Sequence, residues 1–383
     1  MKRLGVIGLG LAGQAFLPAI DSHPEFTLAA VCDPRADACQ EFGNPRGARV
    51  FSDVGAMIAN GGLDAVYIGT PTELHIEHVM QALDAGLHVL VEKPMAASVA
   101  DCVRIADKAR GCNCALVVGH SHSHDLPIRS MRDVIASGRI GAPRIINTSC
   151  YTDWVYRPRR PEELDPALGG GVTFRQGAHQ FDILCVLAGA PAVSLRASTF
   201  DFDPARPTIG AHVVMLTFAN GVVGTAVYNG YGYFHGAELI GDVGEWGQPF
   251  DPAKAMRRKP LAVSADNELA QKQARARGAI AEAPPFQPHF GLTLVSCTGG
   301  DLRQSPRGLY LYSVDGKEEL LLPNDRSPRE LVLDEFADAI AGKPVFHNAD
   351  HGLAVTEICD AVLLSSVEGR EITLVHQHRG KKA

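Results

Sequence analysis

Three glycines near the start of the chain have the spacing of a phosphate-binding turn. Gly8, Gly10 and Gly13 lie between an apolar run, LGVIG, and a helical pattern, AFLPAI, and a second apolar run, TLAAVC, leads to Asp33. In a strand–turn–helix–strand unit, such glycines bring the backbone close to a pyrophosphate, and the acidic residue accepts hydrogen bonds from a ribose. The pattern therefore predicts a dinucleotide site. Its predicted binding residues are Gly8, Gly10, Leu11, Ala12, Gly13 and Asp33.

The charge of Asp33 indicates which dinucleotide binds. A 2′-phosphate would meet this carboxylate, so NAD is predicted and NADP is less favoured. Arg35 weakens the preference, because an arginine nearby can hold a 2′-phosphate. A glycine-rich structural turn or a signal peptide is the alternative reading, since Met1-Lys2-Arg3 precedes the apolar run.

Lys93 has the surroundings of a general base. It follows the apolar run LHVLVE directly and precedes Pro94, which restricts the local backbone. A lysine that is partly removed from water beside the positive nicotinamide loses its proton more readily and can then accept one from a hydroxyl. A surface lysine at the end of a strand is the alternative.

Three histidines, His120, His122 and His124, are spaced by two residues in GHSHSHD. On a strand they would share one face. Three such imidazoles can bind zinc, but the sequence provides no clear further ligand, so contacts with substrate or cofactor are favoured and no metal is predicted. Ordinary loop histidines remain a further alternative.

A second polar cluster lies on a predicted helix over residues 172–189. Arg175 and His179 are four residues apart and therefore share one helical face. Asp182 follows three residues later, where it is expected to orient the ring of His179. A structural histidine with satisfied hydrogen bonds is the alternative.

Alternating strand and helix patterns position these residues. Over 1–120 they predict a doubly wound parallel sheet, whose ligands bind beyond the carboxyl ends of the strands. Those ends are Thr70-Pro71, Glu92-Lys93-Pro94 and 120–124. Strand patterns follow at 193–202, 211–219 and 221–229, a hairpin is expected at Asp315-Gly316, and helices are expected at 329–341 and 352–368.

Two stretches depart from this pattern. Residues 207–237 carry no charged side chain, but the Asn220-Gly221 turn indicates hairpin strands rather than a membrane span. Residues 245–290 form a long excursion with a helical pattern at 270–283. Loops of such length are usually functional, so the excursion is expected to cover the site or reach a neighbouring subunit.

Composition limits the class of protein. The 383 residues include 36 basic and 43 acidic side chains, a net charge of −7, and 46% are apolar, which is typical of a folded protein without nucleic-acid or membrane partners. The nine cysteines are odd in number and lie mostly in apolar runs, which indicates reduced thiols and a cytoplasmic location. Two domains are predicted, a nucleotide-binding domain at 1–122 and a substrate and oligomerisation domain at 123–383.

These motifs resemble the Gfo/Idh/MocA family of NAD(P)-dependent oxidoreductases. The resemblance rests on the glycine turn, Thr70-Pro71 with His75, Glu92-Lys93-Pro94, Gly169-Gly170-Gly171 before His179, and the stretch 330–374. It implies a Rossmann domain followed by an α+β domain with an open, mostly antiparallel sheet, through which a homodimer or homotetramer would form. It also implies that Lys93 and His179 are catalytic. The further cofactor-binding residues that it implies are Thr70, Pro71, His75, Glu92 and Lys93.

One position departs from the family pattern. Sugar and inositol dehydrogenases commonly carry aspartate where this chain has Arg175, and arginine suits a carboxylate. The segments 154–165, 174–182 and 289–303 resemble dihydrodiol dehydrogenases of phthalate breakdown, which implies NAD-dependent oxidation of a phthalate cis-dihydrodiol to dihydroxyphthalate. The predicted substrate-binding residues are Arg175, Arg157, Arg159, Arg160, Asp182, His122 and His289.

Other interpretations stay open. The arginines at 157, 159 and 160 could instead pair with Glu162, Glu163 and Asp165 on a solvated loop. The substrate could be a sugar, inositol or sugar acid. A non-enzymatic NAD-binding regulator is the remaining alternative, although it would need neither Lys93 nor His179.

Overall fold

A computed structural model describes residues 1–255, 268, 270–272 and 284–377. The predicted helix at 270–283 lies outside the described residues except at 270–272, where the chain is helical. The excursion 245–290 is thus described only at its two ends and in those few residues, and its expected role is not tested.

The strands follow the chain in this order: β1 (Lys2–Ile7), β2 (Phe26–Cys32), β3 (Arg49–Phe51), β4 (Ala65–Ile68), β5 (His88–Val91), β6 (Leu116–Val118), β7 (Pro143–Tyr151), β8 (Ala192–Phe200), β9 (Ala211–Phe218), β10 (Val223–Asn229), β11 (Leu292–Cys297), β12 (Gly300–Ser305), β13 (Gly308–Ser313), β14 (Gly316–Leu321) and β15 (Ile372–Thr373). The α-helices are α1 (Leu11–Ser22), α2 (Ala36–Gly43), α3 (Val54–Asn60), α4 (His75–Asp84), α5 (Val99–Gly111), α6 (Leu126–Ala136), α7 (Pro161–Leu164), α8 (Ala178–Ala188), α9 (Pro252–Ala255), α10 (Pro328–Ile340) and α11 (Ala349–Glu368).

The described chain divides into two compact units, and the first contains Met1–His120 and Arg329–Thr356. Its six strands are all parallel and lie in the order β3-β2-β1-β4-β5-β6. The central strand β4 is buried along its whole length. Fully buried apolar strands are typical of parallel sheets that have helices on both faces. The predicted doubly wound fold is confirmed, with the three-residue strand β3 as an unpredicted addition.

The segment Arg329–Thr356 packs against the first unit, whereas the predicted domain boundary assigned it to the second. Phe336 of α10 stacks on Phe26 at 5.5 Å between ring centroids. His23 Nε2 lies 3.2 Å from Asp334 Oδ1, and Val118 N donates to His347 O at 2.8 Å. The nucleotide-binding unit is therefore completed by residues from the C-terminal part of the chain.

The second unit contains a nine-stranded sheet in the order β14-β13-β12-β11-β7-β10-β9-β8-β15. The β7–β10 pair is parallel and the remaining pairs are antiparallel, which confirms the predicted mostly antiparallel sheet. The turn at Asn220-Gly221 joins β9 to β10, with Phe218 N donating to Val222 O at 2.9 Å. The uncharged stretch 207–237 therefore forms hairpin strands, as predicted.

The state of the cysteines and the length of the helices are two further features of the fold. All nine cysteines lie within the described residues, and none forms a disulfide. Among the described residues, no helix combines the length and the apolar character that a membrane crossing requires.

Candidate active site

The glycine turn of the first unit leaves space where a phosphate would approach. Gly8 has φ +92°, and a Cβ on Gly13 would lie 1.9 Å from Gly8 O, so both positions require glycine. A Cβ on Gly10 would meet nothing within 4 Å, so this glycine faces open space. Gly10 also precedes α1 without a side-chain hydrogen bond to the helix. An uncapped helix N-terminus beside open space fits a bound pyrophosphate.

Asp33 and Arg35 form a local ion pair at the end of β2. Arg35 Nε lies 2.9 Å from Asp33 Oδ1, and Asp33 Oδ2 accepts from Leu9 N at 2.8 Å. Burial raises the pKa of Asp33, but the hydrogen bonds from Arg35 and Leu9 outweigh burial and hold the pKa below its ordinary value. The carboxylate is therefore charged at neutral pH, and the guanidinium is directed toward it. Both features favour NAD over NADP.

The loops after β4 and β5 meet through a buried histidine. His75 Nε2 lies 2.9 Å from Thr70 O, and its Nδ1 lies 3.0 Å from Pro94 O. The Lys93–Pro94 peptide bond is cis. Tyr67 donates to Glu92 Oε1 at 2.9 Å. His75 and Glu92 thus help to position the loop that carries Lys93, whose side chain is partly buried.

The three histidines at 120–124 do not lie on a strand, so the shared face that a strand would give them does not form. Strand β6 ends at Val118, and Ser121–His124 form a 3₁₀ turn. His120 belongs to the first unit, where its ring lies 5.6 Å from that of His351. His122 and His124 belong to the second unit. A period of two therefore did not indicate a strand in this segment.

In the second unit, the predicted helix over 172–189 consists of two parts. Thr173–Gly177 form a π-helical turn, and α8 follows to Ala188. Arg175 lies in the π turn and is partly buried, whereas His179 and Asp182 lie on α8 and are buried. π turns are rare and occur often at functional sites. The α-helical geometry expected for Arg175 and His179 is thus replaced by a wider turn.

A buried histidine, His212, packs against the π turn. A Cβ on Gly177 would lie 2.7 Å from the ring of His212. The amide nitrogen of Gln180 donates to Thr148 Oγ1, so its oxygen accepts from His212 Nε2 at 3.1 Å. The other ring nitrogen then accepts from Thr173 Oγ1 at 3.2 Å. Burial lowers the pKa of His212 to about 3, so the ring is neutral, as this hydrogen-bond pattern requires.

His122 lies between two carboxylates. Its Nδ1 is 2.9 Å from Asp125 Oδ2, and its Nε2 is 3.5 Å from Glu245 Oε1. Burial alone lowers the pKa of His122, but the two carboxylates outweigh burial and raise it to about 9. Both ring nitrogens therefore carry protons at neutral pH. Burial raises the pKa of Glu245, but His122 and Arg157 outweigh burial and lower it to about 2.

The rings around His122 form a compact cluster that includes His179. The ring centroids of His122 and His179 are 4.6 Å apart, and Phe290 lies 4.7 Å from the first and 4.8 Å from the second. The indole of Trp246 lies 5.5 Å from His122. Two predicted site residues, His122 and His179, are thus brought together, 57 positions apart in the sequence.

The arginines at 157, 159 and 160 pair with acidic side chains of the chain itself. Arg157 lies 2.7 Å from Asp153 and 4.0 Å from Glu245. Glu163 lies 3.8 Å from both Arg159 and Arg160. Glu163 is one of the acids in the solvated-loop alternative, and Asp153 and Glu245 are additional partners. The three arginine side chains are only 14–25% exposed, however, so they are mostly buried rather than solvated.

His289 has a structural environment. Gly291 N donates to its Nδ1 at 3.2 Å, so its Nε2 donates to Val243 O at 2.8 Å. Burial lowers the pKa of His289, so the neutral form fits this arrangement. Both ring nitrogens contact the backbone, and the histidine thereby joins residues near 243 to residues near 291.

Glu245 and Trp246 were not found by sequence reasoning. They lie in the loop after β10, at the start of the excursion, and belong to no recognisable motif. An acidic residue followed by tryptophan between two glycines, GEWG, was the available signal. That signal does not indicate contact with His122, which lies more than a hundred residues earlier.

Comparison with known proteins assigns the family. Residues 2–120 match the oxidoreductase family model with an NAD-binding Rossmann fold, and residues 128–245 match a GFO/IDH/MocA C-terminal domain. A 1-carboxy-3-chloro-3,4-dihydroxycyclohexa-1,5-diene dehydrogenase from Comamonas testosteroni is 36% identical, with 94% of each chain covered. The chain belongs to the Gfo/Idh/MocA family. It is an NAD-binding oxidoreductase, and both the predicted family and the predicted cofactor are confirmed.

Two further relatives show the range of the family. A protein from Bordetella bronchiseptica RB50, whose crystal structure is described as that of a dehydrogenase, is 36% identical in sequence. The two structures superpose with a TM-score of 0.87 over 97% of this chain and 100% of that one. A myo-inositol 2-dehydrogenase from Thermotoga maritima is 26% identical over 63% of this chain and 73% of its own length. The Gfo/Idh/MocA family thus includes enzymes named for diene diols and for inositol.

Proposed function

We propose that this protein oxidises a cis-dihydrodiol of an aromatic carboxylic acid with NAD, and that the dihydrodiol of phthalate is a substrate. The observation that carries the proposal is the position of Arg175, which lies in the π turn, four residues before His179. A guanidinium binds a carboxylate through two parallel hydrogen bonds, which a neutral polyol does not offer. The diene-diol dehydrogenase of Comamonas testosteroni, whose name includes a carboxyl group on the ring, supports this choice.

In the proposed reaction, the cofactor accepts the hydride and side chains of the protein accept the proton and hold the substrate. Bound NAD supplies the acceptor for the hydride that leaves the carbinol carbon. Lys93 or His179 takes the hydroxyl proton, and Arg175 holds the carboxylate and orients the ring. The hydroxy-ketone that is formed tautomerises to an aromatic dihydroxy acid, and this aromatisation makes oxidation the favoured direction.

A monocarboxylated dihydrodiol is a second candidate substrate. Arg157 is directed toward Asp153 and Glu245, and Glu163 lies beside Arg159 and Arg160. Arginines that are neutralised in this way contribute less to binding a second carboxylate. This observation supports a ring with one carboxylate as a second candidate beside phthalate.

The direct test is NADH formation, followed by absorbance at 340 nm. Purified protein and NAD are mixed with the cis-dihydrodiols of phthalate and benzoate, in parallel with myo-inositol, glucose and galacturonate. We expect NADH only with the carboxylated diols. NADH with a sugar or inositol alone would overturn the proposed substrate, and so would the absence of NADH with both carboxylated diols.

The role of Arg175 is tested by the substitutions Arg175→Met and Arg175→Lys. We expect Arg175→Met to raise KM for the diol about tenfold or more, since charge-assisted hydrogen bonds contribute roughly 1.5–3 kcal/mol. Arg175→Lys should recover only part of this loss, because lysine does not bind a carboxylate with two parallel bonds. An unchanged KM in both variants would remove the carboxylate contact from the proposal.

We also propose that the second sheet joins two or four copies of the chain. Ile145, Val213 and Met215 are about half exposed, at 48%, 48% and 50%, and lie on β7 and β9, the two strands that flank β10. Light scattering should show a dimer or tetramer, and Met215→Glu should shift it toward smaller species. The matched control is Val314→Glu on the exposed β13–β14 turn, and a monomeric wild type would overturn the proposal.

The location that we propose is the cytoplasm. The absence of disulfides among the nine cysteines is typical of a reducing compartment. Fractionation of the native cells tests it, and recovery of the protein outside the cytoplasm would contradict it.

A further inference from the structure

Trp246 is a large side chain left exposed at the edge of the His122–His179 ring cluster. Trp246 is 46% exposed, whereas Phe290 in the same cluster is only 2% exposed. Indole is among the most favourable surfaces for stacking on a flat ring, and its burial is favourable. The cluster thus has a buried interior and one partly exposed aromatic side chain at its edge.

The loop that carries Trp246 is held by several hydrogen bonds. Gly247 N donates to Gly244 O at 2.9 Å, which closes a β-turn with Trp246 at its third position. His289 N donates to Glu245 O at 3.0 Å, and Phe286 N donates to Gly247 O at 3.1 Å. Gly247 has φ +79°, and a Cβ there would lie 2.3 Å from Phe286 O, so the turn requires glycine.

The side chain next to Trp246 anchors the same turn. The carboxylate of Glu245 lies 3.5 Å from His122 Nε2 and 4.0 Å from Arg157. The turn is therefore attached to the cluster through an ion pair as well as through the backbone. An aromatic side chain on a pre-ordered turn loses little conformational freedom when a ligand binds to it.

We propose that Trp246 is the surface on which the unsaturated ring of the substrate stacks, beside His122 and His179. The inference rests on the proposed function and adds the element that recognises the ring, whereas Arg175 recognises the carboxylate. It predicts selectivity for a flat conjugated ring over a saturated ring that bears the same carboxylate and hydroxyl groups.

Steady-state kinetics with the benzoate cis-dihydrodiol test the inference. We expect Trp246→Ala to raise KM about tenfold with a smaller change in kcat, and Trp246→Phe to recover most of the loss, because phenylalanine keeps an aromatic face. The control is Phe202→Ala, which removes an exposed ring that packs on Tyr231, and its KM should equal that of the wild type. Bound NAD, measured for each variant, reports whether the variants are folded.

Tryptophan fluorescence gives a second readout. The chain has two tryptophans, and Trp154 is only 1% exposed. Adding the diol without NAD should change the emission of the wild type but not that of Trp246→Phe, in which Trp154 alone emits. The saturated cyclohexane analogue should bind about tenfold more weakly to the wild type, and Trp246→Ala should reduce this difference.

The outcomes separate the two proposals. If the wild type oxidises no carboxylated diol, the proposed function fails. If the wild type oxidises the diol and Trp246→Ala keeps the wild-type KM, the stacking role is wrong while the function stands. A fluorescence change that persists in Trp246→Phe would also contradict the stacking role.

Discussion

The two units build their sites in different ways. In the first unit, the part of the dinucleotide site that would hold the pyrophosphate and the ribose lies within one continuous segment, from Gly8 to Arg35, and its glycine turn is made of backbone. In the second unit, the His122 cluster is made of side chains from chain segments that lie far apart, including Glu245 and Phe290. A site made from one segment leaves a motif in the sequence, whereas a site assembled by folding leaves only scattered residues.

The largest effect that we expect tests Lys93 in the first unit. Lys93→Met should lower kcat by about a hundredfold or more, since loss of a general base costs roughly this much, and should change NAD affinity far less. Measurement of kcat and of NAD binding checks this. The control is Lys108→Met on α5, which removes an exposed partner of Asp84 and should keep full activity. Wild-type turnover of Lys93→Met would assign the proton transfer elsewhere, with His179 the next residue to replace.

A pair of glycine substitutions tests the roles of Gly13 and Gly10 in the dinucleotide site. Gly13→Ala places a Cβ 1.9 Å from Gly8 O and should lower the free energy of unfolding by about 2–3 kcal/mol. Gly10→Ala meets open space, so stability should change by less than about 0.5 kcal/mol while NAD binding weakens. Denaturant unfolding and NAD titration of both variants check this. Equal effects on stability would contradict the different roles of the two glycines.

The stability of the second unit should depend on pH because His122 titrates. Its pKa is raised from 6.5 to about 9, so its contribution to stability is fully present below pH 6.5 and is lost as pH rises through about 9. We expect the wild type to lose on the order of 1–2 kcal/mol over this interval, and His122→Asn to lose less. Thermal unfolding against pH measures both proteins. Parallel curves would show that His122 does not carry this dependence.

The smallest expected effect concerns Arg35. Its guanidinium pairs with Asp33 at a partly exposed position, where an ion pair contributes roughly 0–1 kcal/mol. Arg35→Ala should change KM for NAD no more than about threefold and should lower any residual use of NADP. Initial rates with both cofactors check this, and a large loss of NAD affinity would show that Arg35 contributes more than the pairing suggests.

Most of the fold follows from short-range patterns in the sequence. The parallel strands and the hairpin at Asn220-Gly221 were predicted because continuous apolar runs and turn residues mark them locally. Strand β3 was missed because it has three residues and no apolar alternation. The placement of Arg329–Thr356 was also missed, since it depends on long-range packing such as that of Phe336 on Phe26.

The site was only partly predictable. His122 and His179 were identified from their residue types, but their contact was not, because it arises from tertiary folding. The packing of His212 against Gly177 in the π turn joins distant segments, so no local pattern encodes it. Glu245 and Trp246 acquire their significance only through the loop that brings them to His122.

The packing of Arg329–Thr356 into the first unit has a consequence for synthesis. Chains fold as they leave the ribosome, usually from the N-terminus. The ring contact between Phe26 and Phe336 and the hydrogen bond between Val118 and His347 can form only after the second residue of each pair has been synthesised. In both pairs that residue lies more than two hundred positions later in the chain. The nucleotide-binding unit therefore cannot acquire its complete core during early translation. We expect a nascent chain stalled after residue 130 to remain sensitive to protease, and a complete chain to become resistant.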